Sequence, residues 1–111
     1  MNENFLNKWQ SQVKKGTLSL ILLTLLKGKE MYGYEIMEYI LKHISIDIAE
    51  GTLYPLLNRL KTDGLIDSKW VEQSSGIPRK YYTLTSEGYK TLEEMKKIWE
   101  HLDESLKKIS K

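Results

Sequence analysis

The chain contains no cysteine, which excludes disulfides, thiolate nucleophiles and cysteine-based zinc sites and suits a reducing, cytoplasmic location. Long apolar runs are missing too. The longest, LSLILLTLL from Leu18 to Leu26, lies between Lys15 and Lys27 and is about half the roughly 20 residues that a membrane-spanning helix needs. It reads as a buried core helix, with no membrane partner. Met1 to Lys15 is polar and carries Glu3, unlike a cleavable leader. The chain also lacks convergent reactive groups. There is no glycine-rich phosphate loop and no histidine pair at metal-binding spacing, and His43 and His101 lie on different expected helices. Asp47 and Glu50 flank a helix start, where the helix dipole favours acids whatever the function. No catalytic residue, metal site or cofactor is expected, and the chain does not read as an enzyme.

Against these absences stand 7 tyrosines and 3 tryptophans beside a single phenylalanine. Such rings suit surfaces that are partly buried and partly in contact with a partner. The 111 residues, 41% of them apolar, fit one compact unit. The net charge of +2 is small but unevenly spread: residues 1–30 hold 5 Lys against 2 Glu, whereas residues 86–111 balance 6 cations with 6 acids. An anionic partner would therefore be met by local clusters of cations and not by a general field.

Periodicity and punctuation divide the chain into elements. FLNKWQSQVKK predicts a short helix showing Phe5, Leu6, Trp9 and Val13 on one side. Gly16 then interrupts, and Thr17 can cap a second, apolar helix that ends near Gly28. The next helix follows Gly33, with Ile36, Met37, Ile40, Leu41 and Ile44 facing inward and Glu35, Glu38 and Lys42 facing out. Another comprises EGTLYPLLNRL (residues 50–60) and stops at Gly64. Its proline is harmless if Thr52 is the N-cap, because first-turn N–H groups have no partner within the helix; a start at Glu50 would bend the helix at Pro55. After it, LIDSKWVEQ and PRKYYTLT, joined by SSGI, predict a hairpin from Ile66 to Thr85 with Arg79 and Lys80 near its tip. The fold class is thus mostly α with a small β-hairpin (α+β).

The last segment has Ser86 as its N-cap and repeats Leu92, Met95, Trp99, Leu102, Leu106 and Ile109 at steps of three and four. That is the seam of a coiled coil. A helix of this kind is not stable alone, and a second copy of itself is the simplest partner, which predicts a homodimer. Residues 1–85 then form one domain and residues 86–111 a dimerisation helix.

The leucines of the proline-containing helix turn inward, leaving Gly51, Tyr54, Asn58, Lys61 and Thr62 outside. This face is polar, small at its beginning and almost free of acid, as insertion into a DNA major groove requires. Asn58 can bond an adenine edge in two places, Tyr54 can reach a phosphate or a thymine methyl group, and Thr52 offers both a hydroxyl and a methyl. An ordinary solvated helix face would read alike, but the order of elements separates the two. Three helices followed by a hairpin bearing cations is the layout of a winged helix-turn-helix. Arg79 and Lys80 would then contact phosphates or the minor groove. The competing reading is a winged-helix module for protein–protein interaction without specific DNA binding.

MYGYEI (31–36), EGTLYPLLNRLKTDGLI (50–66) and PRKYYTLTSEG (78–88), in this order and spacing, resemble the PadR family of transcriptional repressors. The resemblance implies a winged-helix DNA-binding domain with one C-terminal dimerising helix, binding an inverted-repeat operator on double-stranded DNA and leaving it when an effector binds. Carried over residue by residue, it places DNA contacts on Tyr34, Thr52, Tyr54, Asn58, Arg79 and Lys80. It also implies that Trp99 matches the tryptophan with which some members hold flat aromatic compounds in a dimer pore, where Phe5 and Trp9 can also line the cavity. Two symmetry-related indoles can sandwich a planar cation; the plainer reading is that Trp99 only packs the dimer core.

Overall fold

Leu18, Leu22, Leu23, Leu25 and Leu26 are buried, as their run predicts, but the helix that carries them is longer than expected. In the computed structural model, which describes residues 2–111, α1 runs unbroken from Glu3 to Leu25. Gly16 does not interrupt it: a mid-helix glycine costs only about 1 kcal/mol relative to alanine. Thr17 is no cap either. Its hydroxyl donates back to the Val13 carbonyl at 2.6 Å, the bond of a residue within a helix.

After α1 come β1 (Met31–Tyr32), α2 (Gly33–Ile44), α3 (Glu50–Thr62), β2 (Ile66–Val71), β3 (Arg79–Leu84) and α4 (Ser86–Ile109). The expected hairpin is β2–β3, in antiparallel register from Ile66 opposite Leu84 to Val71 opposite Arg79. A third strand, which was not expected, joins it: β1 pairs with β3, giving the order β1-β3-β2. On α2, Ile36 and Ile40 are buried as predicted, whereas Leu41 and Ile44 are exposed. The helix ends there because Ser45 takes a left-handed conformation (φ 60°).

Of the two possible starts for α3, the earlier one is found. Ala49 occupies the N-cap position, and the Ala49 carbonyl accepts the N–H groups of Thr52 and Leu53, each at 3.0 Å. Thr52 is therefore inside the first turn and Pro55 inside the helix. Leu53, Leu57 and Leu60 are buried, locking α3 onto the core.

Helix α4 is capped one residue earlier than expected, by Thr85 in place of Ser86. The Thr85 hydroxyl accepts the Gly88 N–H at 2.9 Å and donates to the Gly64 carbonyl at 2.6 Å, while the Thr85 N–H donates to the Leu65 carbonyl at 3.1 Å. The end of α3, the start of β2 and the start of α4 are thus tied together. Leu92 is buried in the same core and Met95 packs against it. Past Met95, α4 still runs beside α1 as far as Leu102, and the molecule measures 57 × 35 × 22 Å.

Candidate nucleic-acid interface

Tyr54 and Lys61, seven residues apart on α3, lie on the side that faces α2 and the sheet. The Tyr54 ring closes over Gly33, at the first residue of α2, so tightly that any β-carbon there would overlap its hydroxyl and ring edge. Lys61 donates from Nζ to the Ser68 hydroxyl of β2 at 2.6 Å. The first contact fixes α3 against α2, and the second fixes α3 against the hairpin.

Across from them, two cation–ring pairs shape the hairpin. Lys80 and Trp70 are directly opposite in the β2–β3 register, and the ammonium group sits 5.6 Å from the indole. The Arg79 guanidinium lies 4.4 Å from the centre of the Tyr32 ring, which in turn meets Tyr81 edge-on at 5.3 Å. Such pairs restrict long side chains without neutralising their charge. The two cations lie near the hairpin tip, as expected, on the first two residues of β3; the tip itself is the turn closed by the Gly76 N–H to the Gln73 carbonyl at 2.9 Å.

Between α3 and the hairpin lies a concavity of about 420 Å³ whose lining includes Tyr34, Tyr54, Asn58, Arg79 and Lys80. These five belong to the seven residues singled out in the sequence as DNA-binding. Trp70 and Tyr32, which line it too, were missed; their signal was the aromatic spacing around the cations, legible only once the strand register is known. No acid is among the lining residues. The neighbouring Glu38 carboxylate, through hydrogen bonding first and its charge second, raises the Tyr34 phenol above the ordinary value. Tyr34 therefore stays a neutral hydroxyl at physiological pH. The other two predicted residues lie apart: Lys61 is tied to β2, and Thr52 faces α1 across the opposite flank of α3.

Gly33→Ala tests this packing. The clash falls on a side chain and not on backbone, so Tyr54 can swing away at a cost of about 1 kcal/mol of stability. Affinity for duplex DNA should nevertheless fall about tenfold, because Tyr54 leaves the concavity. Calorimetry and a binding titration on the same variant separate the two effects.

The C-terminal seam divides. Leu92 is spent on the core of its own chain, which corrects its assignment to the dimer face, and Met95 is half-buried there. Trp99, Leu102, Leu106 and Ile109 remain exposed. Trp99 also lines a largely apolar cavity of about 540 Å³ between α1, α2 and α4, with Leu20, Ile21, Tyr39 and Lys29. Phe5 and Trp9 do not reach it: they are 69% and 54% exposed, on the first turns of α1. Among the described residues, no helix is long and apolar enough to cross a membrane, and no three His, Asp or Glu side chains gather as a metal site would need.

Residues 22–94 match the model of the PadR-like family of transcriptional regulators. An uncharacterised protein of Lysinibacillus sphaericus is 37% identical over 97 residues, covering 86% of this chain and 89% of its own. Among solved structures, a PadR-like transcription factor from Bacteroides fragilis is 41% identical, with a TM-score of 0.78 over 92% of this chain and 98% of that one. A PadR family transcriptional regulator from Eggerthella lenta is 34% identical, with a TM-score of 0.87 over 96% and 93%. Bacillus subtilis PadR, solved in complex with operator DNA, is 28% identical, with a TM-score of 0.66 over 71% of this chain and 47% of that one.

Proposed function

The chain belongs to the PadR-like family of transcriptional regulators and is not an enzyme, and on that premise we propose that it is a homodimeric repressor that binds an inverted-repeat operator on double-stranded DNA. The observation that carries this reading is the acid-free concavity in which Tyr34, Tyr54, Asn58, Arg79 and Lys80 meet. The outer face of α3 enters the major groove, where Asn58 reads a base edge. Arg79 and Lys80 hold the phosphates of the adjoining backbone, Tyr54 donates its hydroxyl to it, and Tyr34 lies alongside. Residues 1–85 do the reading. Within 86–111, the exposed seam of Trp99, Leu102, Leu106 and Ile109 pairs with its copy, setting two α3 helices about one duplex turn, or roughly 34 Å, apart.

The cavity beside Trp99 supports a regulatory role. Its apolar lining, with Tyr39 and the indole as flat surfaces, suits a planar aromatic effector whose binding alters the packing of α4 and releases the operator. Phe5 and Trp9 have no part in that cavity and are left as apolar surface that the partner protomer can cover.

The test is a titration against the protein's own promoter fragment and a random duplex, over a range of salt concentrations. Asn58→Ala should remove about 1–3 kcal/mol of preference for the operator, whereas Lys80→Ala should weaken both duplexes alike and flatten the salt dependence. Equal losses on both duplexes for both variants would overturn these roles. Binding that is absent at every salt concentration would leave a protein-interaction module.

A further inference from the structure

Arg59 stands one residue beyond Asn58 and two before Lys61, so on a helix turning 100° per residue it lies about 160° around α3 from Lys61. Thr52, seven residues earlier, shares its side. That flank, turned away from the hairpin, has a groove of its own against α1, of about 420 Å³. Lys15, Ser19, Thr52 and Arg59 supply its polar groups, and Leu18, Pro55 and Leu56 its apolar ones. Two cations and two hydroxyls share the groove, and no carboxylate lines it. Past Thr52 it continues between Lys14 and Ser11, with one acid, Asp47.

The cations of both flanks stand outside the ion pairs. Among the described residues, the ion pairs engage Lys27, Lys69, Lys96, Lys97 and Lys107. Lys14, Lys15, Arg59, Arg79 and Lys80 have no carboxylate partner there. The cations beside α3 are thus left available on both of its flanks.

A helix with its side chains is about 10–12 Å across, close to the roughly 12 Å width of the major groove. A helix seated in that groove therefore has a phosphate backbone along each side, and cations on one side alone would leave the second strand unmatched. From this geometry we infer that Lys15 and Arg59, aided by the hydroxyls of Ser19 and Thr52, form a second phosphate-binding line for the DNA strand opposite the one held by Arg79 and Lys80. The inference rests on the DNA-binding reading and extends it to α1, which then touches DNA as well as forming the core. It also explains the position of Thr52: the residue contacts backbone on this flank and not a base.

Lys15→Gln and Arg59→Gln test it, since both residues are exposed and the variants should fold as the parent does, which circular dichroism checks. Each substitution removes one phosphate contact per protomer, two per dimer. The log–log slope of affinity against salt should therefore become shallower by about two. Affinity at 0.1 M salt should fall by roughly one to two orders of magnitude, alike on operator and random duplex. Lys97→Gln, which removes an equal charge on the side of α4 away from the seam, should leave the slope in place. If Lys80→Ala flattens the slope and Lys15→Gln and Arg59→Gln do not, the second line is refuted while DNA binding stands. If the parent protein itself shows no salt-dependent binding to any duplex, the DNA-binding reading falls, and this inference with it.

Discussion

Leu102→Asp combined with Leu106→Asp should leave each protomer folded, convert the dimer to monomers in sedimentation and abolish operator binding. Both leucines are about half exposed in the single chain and outside its buried core, so the protomer loses only the packing of Leu102 beside Gly16, Thr17 and Leu20 of α1 when they are replaced. In a pair of chains the same substitutions remove four buried leucines. At about 1.5–3 kcal/mol for each buried side chain this is roughly 6 kcal/mol or more, or at least about four orders of magnitude in the dimer dissociation constant. The introduced carboxylates, facing one another across the seam, add repulsion. On the proposed reading, operator binding is lost because each α3 alone would read half a site, and two half-site affinities combine only when the protomers are joined. A double variant that remained dimeric would place the interface elsewhere, with the exposed Phe5, Leu6 and Trp9 of α1 the next surface to substitute.

Gly88→Ala should be the most destabilising single methyl group in the chain. A β-carbon at Gly88 would overlap the carbonyl oxygen of Leu65 and come within 3.0 Å of its carbon and 3.1 Å of Leu84 Cδ2. Unlike the clash at Gly33, this one falls on backbone that cannot rotate away. The Leu65 carbonyl also accepts the Thr85 N–H, and Thr85 caps α4, so any shift that admits the methyl loosens the cap and the joint between α3, β2 and α4 together. Overpacking of about 1–3 kcal/mol plus about 1 kcal/mol for a disturbed cap amounts to roughly 3 kcal/mol. For a chain of this size that lowers Tm by more than about 10 °C. Thr85→Ala, which removes the cap without adding bulk, should cost about a third as much. Scanning calorimetry of the two variants ranks them; the reverse order would mean that the cap, and not the close approach at Gly88, holds the joint.

What the sequence determined alone was the set of faces. The steps of Leu53, Leu57 and Leu60 sent one side of α3 inward and left Tyr54, Asn58 and Lys61 outside, because a helix period depends only on local geometry, and the ring-rich and β-branched runs on either side of the SSGI turn specified the hairpin. Boundaries were less legible. Gly16 and Thr17 read as a break, yet α1 passes through them, since the local preference is small and is overridden by the apolar residues that follow. Strand β1, only Met31 and Tyr32, carries no period at all and exists because β3 offers it an edge.

Tertiary structure alone decided which faces meet. That Leu92 belongs to the core while Leu102 does not, that Trp70 lies against Lys80, and that Lys15 stands across a groove from Arg59 are facts about residues from different elements. A one-dimensional pattern gives the direction of a side chain from its own axis but not the distance to the next one, and electrostatic and packing energies depend on that distance.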